Sequence, residues 1–273
     1  MPELPEVETV RRTLETIIIG KQIRQVSVSL PRIVRNLTVE EFQQRLKGCT
    51  ISQIGRRGKF LTIVCEPWTL ISHLRMEGKY RLAANEEPIE KHTHVIFHFT
   101  DGTELRYRDV RQFGTMDLVP TGEEEKHPPL MKLGIEPLSD DFTLEWLQQN
   151  LHKRKAKIKS LLLNQTFIVG LGNIYVDEVL FHAKIRPDRI VTTLTDEELN
   201  RLYFYIRKVL VEAIQAGGTS VRTYRNGKGE MGYFQLNLQV YGRKNQPCSQ
   251  CGNQIERMVI AGRGTHFCSY CQQ

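Results

Sequence analysis

Four cysteines near the end of the chain constrain its fold more than any other feature. Cys248-x2-Cys251 and Cys268-x2-Cys271 are separated by sixteen residues. Each C-x2-C places two thiols on one turn, and two such turns facing each other form a tetrahedral four-thiolate zinc ribbon. A segment of roughly 40 residues buries too little apolar surface to fold unaided, so a metal there supplies stability the core lacks. One structural zinc ion is the expectation, with another metal or a pair of disulfides as alternatives. Four thiolates leave no open coordination position, so the chemistry of the chain must lie elsewhere. Arg243, Lys244, Arg257, Arg263 and His266 stand around the cysteines against the single acid Glu256. That pattern suits contact with phosphate, the alternative being a ribbon that only caps the fold.

The other two cysteines, Cys49 and Cys65, stand singly in apolar runs and read as buried thiols in strands. A metal site plus two buried thiols fits a reducing compartment and not a disulfide framework. The opening Met1-Pro-Glu-Leu-Pro-Glu has neither the basic start nor the apolar core of a signal peptide. No apolar run approaches the ~18 residues of a membrane span, so a cytosolic protein with no membrane partner is expected. The formal charge of +7, from 38 Lys+Arg against 31 Asp+Glu, is a weak pointer to a polyanion.

At 273 residues the chain has room for two domains. Leu4 to Leu14 reads as a helix, with Val7, Val10 and Leu14 on one face and Glu6 and Glu8 in the first turn. From about 21 to 120 short alternating runs dominate (Ile23 onward, Phe60–Cys65, His94–Phe99 and Glu104–Tyr107), separated by turn signals such as Asp101-Gly102, which reads as a β-rich domain, sandwich or barrel. Pro120 to Leu138 reads as a linker. Beyond it the period becomes helical, most clearly after Thr195, where Thr195 and Glu198 form a capping box. Leu199, Leu202, Ile206, Val209, Leu210, Ala213 and Ile214 line one face of that helix, and Gly217-Gly218 ends it. Residues 218–235 look loop-like, and 236–273 look like a small β-hairpin unit. Gly170-x-Gly172 lacks the third glycine and preceding strand of a dinucleotide site, so no nucleotide cofactor is expected.

Pro2 is the most informative single residue. Loss of the initiator Met exposes a secondary amine, which condenses with an aldehyde carbon only to a cationic iminium. That cation is an electron sink favouring elimination at the neighbouring carbon. The helix starting near Leu4 points its positive end at this amine and disfavours its protonation. Glu3 and Glu6 flank it as candidate proton donor and sugar contact, ordinary helix capping being the alternative.

These residues, taken together, resemble the formamidopyrimidine-DNA glycosylase family. The resemblance rests on six ordered motifs: Pro2-Glu-Leu-Pro-Glu-Val-Glu-Thr-Val-Arg-Arg, Arg56-Arg-Gly-Lys-Phe-Leu, Ser72-His-Leu-Arg-Met-Glu-Gly, Tyr107-Arg-Asp-Val-Arg-Gln-Phe-Gly, Gly170-Leu-Gly-Asn-Ile-Tyr-Val-Asp-Glu and the closing zinc ribbon. It implies an α+β fold of two domains: an N-terminal helix plus β-sandwich, then a helix-two-turn-helix domain with a C-terminal zinc-ribbon hairpin. The expected divisions are 1–120, a hinge at 121–138, 139–235 with a lesion-capping loop at 217–235, and the zinc finger at 236–273. The implied partner is double-stranded DNA containing an oxidised purine or abasic site, held in a cleft between the domains with the target nucleotide turned out. A monomer in the bacterial cytoplasm, nucleoid-associated through DNA, is implied as well.

Carried over by motif, Pro2 resembles the nucleophile, Glu3 the acid that assists proton transfer, and Glu6 a residue near the sugar. Lys59 is similar to a lysine at the target phosphate, and His73 lies in a DNA-contacting motif. Met76, Arg111 and Phe113 match a wedge that fills the gap left by the extruded base. An apolar thioether and a ring replace stacking, and a guanidinium bonds the orphaned partner base. Without the resemblance Lys59 reads as an exposed strand-end lysine, and Met76 and Phe113 as core residues. Asn173, Tyr241 and Arg263 resemble phosphate contacts. The basic run Lys153-Arg-Lys-Ala-Lys-Ile-Lys reads as a solvated face near DNA, with no role for any one lysine.

Gln112 departs from the pattern, since a basic residue is expected there, and one phosphate contact is at stake. Two rival readings remain. An endonuclease VIII-type enzyme shares the fold and the Pro nucleophile but prefers oxidised pyrimidines; the Leu after Glu3 and the complete Met-Arg-Phe set favour the purine enzyme. A non-catalytic zinc-ribbon DNA-binding protein would leave Pro2, Glu3 and Lys59 without a purpose.

Overall fold

A computed structural model describes residues 1–151, 153–219 and 237–273. The chain divides into two compact units, Met1–Lys132 with Gly217–Tyr233, and Leu133–Ala216 with Phe234–Gln273.

The first unit opens with helix α1 (Leu4–Ile18), which has Pro5 in its first turn and a capping box formed by Glu3 and Glu6. Proline fits there because the first-turn N–H groups have no intrahelical partner. Val7, Val10, Leu14 and Ile18 recur at helical spacing and are buried as one stripe. Strand β1 (Ile23–Val28) and helix α2 (Val39–Leu46) follow, α2 closed by a Thr38–Glu41 capping box. Seven strands complete the unit: β2 (Gln53–Arg57), β3 (Phe60–Cys65), β4 (Trp68–His73), β5 (Lys79–Ala84), β6 (Thr93–Phe99), β7 (Thr103–Arg108) and β8 (Thr115–Pro120). They form two antiparallel four-stranded sheets, ordered β1-β6-β7-β5 and β2-β3-β4-β8. One core joins the inner faces of both sheets to α1, with Val95, Phe97 and Phe99 from one and Leu61, Ile63 and Leu118 from the other. Alternation along β3 and β6 is what puts these side chains on one face. The N-terminal β-sandwich implied by the resemblance is therefore present. The stretch read as a plain linker contains a 3-10 turn at Glu124–Lys126 and a short helix α3 (Pro128–Met131).

In the second unit come α4 (Leu144–Leu151), α5 (Ile158–Leu162), α6 (Asn173–His182) and α7 (Asp196–Gln215). The Thr195–Glu198 box starts α7, and its buried residues are the seven expected from the sequence. Every residue from Ile174 to Phe181 in α6 is buried, which makes it the central helix of this unit. A two-stranded hairpin, β9 (Glu256–Ile260) with β10 (Arg263–Phe267), carries the ribbon.

Three expectations need correction. Cys49 lies in the turn after α2 and is only half-buried, whereas Cys65 is buried on β3 and burial pushes its thiol up to about 12. Lys159, the last lysine of the run read as solvated, is fully buried. Arg243, counted among phosphate-facing cations, donates to main-chain carbonyls described below, and the His266 ring lies edge-on to Tyr241 with its Nδ1 3.4 Å from Asp177. The proposed lesion-capping loop at 217–235 lies outside the described residues from position 220 on. No described helix is long and apolar enough to cross a membrane.

Candidate active site and nucleic-acid interface

Pro2, Glu3 and Glu6 are buried at the head of α1. One Glu6 carboxylate oxygen accepts from the Glu3 N–H at 2.8 Å. The other accepts from the Thr219 N–H at 2.7 Å and the Thr219 hydroxyl at 3.1 Å. Thr219 is itself buried. The side chain read as a sugar contact thus holds the backbone beside Pro2 and binds Thr219. Charge-assisted bonds of this kind are about twice as strong as neutral ones.

One turn further along α1, Glu8 accepts from Arg12 at 2.9 Å and from Arg56 at 3.1 Å. Burial alone raises the Glu8 carboxyl, but Arg12, Arg11 and Arg56 together hold it below its ordinary range. Arg56 also donates to the Gly58 carbonyl at 2.9 Å, so a salt bridge from α1 fixes the β2–β3 turn. Lys59 sits in that turn and is 5% exposed, which rules out a solvated strand-end lysine. His73 ends β4 close by, its ring edge-on to Phe60 at 4.4 Å. Burial, with the charges of Arg75 and Lys59, drives His73 down to about 3, so the ring is neutral. Its Nδ1 accepts from the Arg75 N–H at 2.9 Å, which leaves the proton on Nε2 as a donor.

Past His73 the chain turns through Arg75 and Met76 into β5. Met76 is 37% exposed and Phe113, in the turn between β7 and β8, is 52% exposed, so neither is a core residue. The Arg111 guanidinium lies 5.0 Å from the Phe113 ring centre. Arg75 and Gln112, the neighbours of these side chains, both hold left-handed backbone (φ 54° and 57°). Such strain in residues other than glycine costs about 1–3 kcal/mol and concentrates at functional turns. The Gln112 side chain accepts from Arg32 at 2.6 Å, so a guanidinium from the turn after β1 stands where the sequence pattern lacks a basic residue. Asp109, quoted within its motif but given no role by sequence reasoning, is wholly buried beneath this turn.

The second unit holds the other predicted contacts. Asn173 begins α6, and its amide donates to the Gly264 carbonyl at 2.9 Å. Gly264 follows Arg263, which is exposed at the tip of the β9–β10 hairpin. Two acids inside the otherwise apolar α6 complete this junction. Asp177 pairs with the buried Lys159 ammonium at 2.6 Å and accepts from the His266 N–H at 2.8 Å. Glu178 accepts from the N–H groups of Gln239, Val240 and Tyr241 at 2.8–3.0 Å. Arg243 donates to the Leu238, Gln239 and Pro247 carbonyls, which is why it is not a phosphate-facing cation. Adjacent acids in an apolar helix were the available signal for Asp177 and Glu178; for Lys159, inside a run of exposed cations, there was none.

All six cysteines are free. The sulfurs of Cys248, Cys251, Cys268 and Cys271 lie within 4.8 Å of one another, with Cys248–Cys271 at 3.9 Å and Cys251–Cys268 at 3.5 Å. A tetrahedral ion with bonds of about 2.3 Å needs sulfurs about 3.8 Å apart. The cluster therefore fits one structural zinc ion.

Three family profiles match the chain: the formamidopyrimidine-DNA glycosylase N-terminal domain over residues 1–116, the formamidopyrimidine-DNA glycosylase H2TH domain over 133–225, and the zinc finger found in FPG and IleRS over 245–273. The formamidopyrimidine-DNA glycosylases of Brevibacillus brevis and Halalkalibacterium halodurans are 57% and 55% identical over 274 residues. Both alignments cover 100% of this chain, and 99% and 100% of the relatives. Lactococcus lactis Fpg, solved in complex with DNA containing an abasic site, is 46% identical with a TM-score of 0.94 over 99% of both chains. The wild-type Lactococcus lactis enzyme in complex with DNA containing N7-benzyl-Fapy-dG is 45% identical, with a TM-score of 0.93 over 100% of both.

Proposed function

The chain belongs to the formamidopyrimidine-DNA glycosylase family, and from that premise we propose that it excises oxidised purines from duplex DNA as a bifunctional glycosylase/AP lyase of base-excision repair. The head of α1 carries this reading, since Pro2 directly precedes a helix whose first turn is closed by Glu3 and Glu6. Once Met1 is removed, the Pro2 nitrogen attacks C1′ of the damaged nucleotide. The N–C1′ bond forms as the bond to the base breaks, and the base leaves with a proton. Opening of the sugar ring gives the iminium. Loss of a C2′ proton expels the 3′ phosphate, a δ-elimination then expels the 5′ phosphate, and a one-nucleotide gap remains. Glu3 moves the protons, and Glu6 holds the backbone that presents both residues.

Lys59 and the Nε2–H of His73 bond phosphate beside the target. The neutral imidazole does so without adding a further charge to a buried cluster that already holds Lys59. Met76, Arg111 and Phe113 enter the stack where the target nucleotide has left it, and Arg111 meets the widowed base. Asn173, Tyr241 and Arg263 contact backbone phosphates, with the zinc holding the hairpin that presents Arg263. The domain divisions at 120, 138 and 235, a monomeric state and a cytoplasmic, nucleoid-associated location belong to the same proposal.

Single-turnover base release tests it. A duplex carrying 8-oxoguanine opposite cytosine should be processed faster than a thymine-glycol duplex, with strand cleavage following on the same protein. Preference for thymine glycol would move the chain to the endonuclease VIII type, and tight binding without base release would make it a binding protein.

A further inference from the structure

A half-exposed ring such as Phe113 has few contacts of its own, so its direction is set by the backbone of its turn. That backbone hangs on one residue. The Asp109 carboxylate, fully buried, accepts from the Arg111 N–H at 3.0 Å, the Phe113 N–H at 2.9 Å and the Gly114 N–H at 2.8 Å. Its own main chain is pinned too. The Asp109 N–H donates to the His92 carbonyl at 3.0 Å, and its carbonyl accepts from the His94 ring at 3.0 Å. Burying a carboxylate is a costly way to stabilise a surface turn, and it is suited to fixing a shape.

Two residues earlier, on β7, Tyr107 is also fully buried, with its hydroxyl 3.5 Å from Asp109. This hydroxyl lies against two glycines. One is Gly114, which closes the Phe113 turn, and the other is Gly78, which closes the Met76 turn by donating to the Leu74 carbonyl at 2.9 Å. A Cβ at either glycine would lie closer to the hydroxyl than side-chain carbons approach in real proteins. One hydroxyl is thus the spacer between the turn that carries Met76 and the turn that carries Arg111 and Phe113.

We propose that Asp109 is a positioning residue that sets the shape of the Arg111–Phe113 turn and, with the Tyr107 hydroxyl, holds it in register with the Met76 turn, so that the two enter the duplex together. The proposal rests on the reading of Met76, Arg111 and Phe113 as the wedge. The pair touches no reacting atom, and its effect falls on extrusion of a stacked base and not on elimination at a sugar that has already lost its base.

The test compares Asp109→Asn, Tyr107→Phe and Phe113→Ala with the unsubstituted protein on two duplexes, one with 8-oxoguanine opposite cytosine and one with a preformed abasic site. Misplacing a reacting constellation by about 1 Å costs up to ~100-fold, so Asp109→Asn is expected to slow base release at least ~10-fold and abasic-site cleavage less than ~3-fold. Tyr107→Phe keeps the ring in the core and should shift the same ratio by about 3-fold, so the test survives if the Asp109 variant fails to fold. A 2-aminopurine beside the lesion should brighten on wedge entry, more slowly in both variants by the factor seen in base release. Equal losses on both duplexes, or no loss in Asp109→Asn while Phe113→Ala loses base release selectively, would overturn the positioning role alone. No selective loss in Phe113→Ala would overturn the wedge reading and the proposal with it.

Discussion

The Glu6 carboxylate accepts from one backbone N–H beside Pro2 and from two donors of Thr219. Glu6→Ala leaves these buried donors without an acceptor, at about 1–3 kcal/mol for each that stays unsatisfied. Denaturant unfolding should therefore show a clear loss of stability, and Glu6→Gln, which retains one acceptor oxygen, should recover part of it. His73 gives a pH signature. Its folded pKa is lowered to about 3 by burial and by Arg75 and Lys59. The unfolded ring titrates near ~6.5, so between these values the unfolded chain binds more protons. Stability from this residue is complete above the unfolded pKa and falls as pH drops towards 3. In urea unfolding at pH 6.5 and pH 5, His73→Gln should lose less stability between the two than the unsubstituted protein, because it has no ring to titrate, while zinc loss affects both alike. Equal slopes would mean that the imidazole does not stay neutral in the folded chain.

At the scale of elements, α6 is the part on which the second unit's contacts converge. Asp177 and Lys159 form an ion pair with both side chains fully buried. Removing one partner of such a pair typically costs about 3–5 kcal/mol, whereas replacing both with apolar residues of similar volume is often neutral. Asp177→Ala should therefore lower the denaturation midpoint strongly, and Asp177→Leu with Lys159→Met should regain part of it, the His266 N–H remaining without its acceptor. Several elements were legible: α1 from its apolar stripe and first-turn acids, α7 from its apolar stripe and capping box, β1, β3, β6 and β7 from alternation, and the ribbon from cysteine spacing. Partnerships across long separations were not. Thr219 meets Glu6 from 213 residues away, and Lys159 is taken out of an exposed-looking run by an aspartate on another helix. Cys49 sits in an apolar stretch that turns instead of extending. For the site, residue types were readable, but the supports beneath them, Glu8, Asp109 and Asp177, depend on how the chain path brings N–H groups and guanidinium ions to a carboxylate.

For the molecule as a whole, a formal charge of +7 becomes useful only where cations reach phosphate. In the proposed function the exposed Arg263 is such a cation, whereas Arg243 is bonded to three carbonyls. Arg263→Ala should lower DNA affinity across sequences and reduce the slope of log K against log salt by about 1. Removing zinc should unfold the hairpin and abolish the same contribution, as read by circular dichroism and the salt slope together. The central claim is that Pro2 does the chemistry, and borohydride trapping tests it most directly. Protein with Met1 removed, mixed with an 8-oxoguanine duplex and reduced, should yield a covalent adduct that mass spectrometry maps to Pro2, and protein retaining Met1 should yield none. Undiminished trapping with Met1 retained, or an adduct on a lysine such as Lys59, would contradict the account.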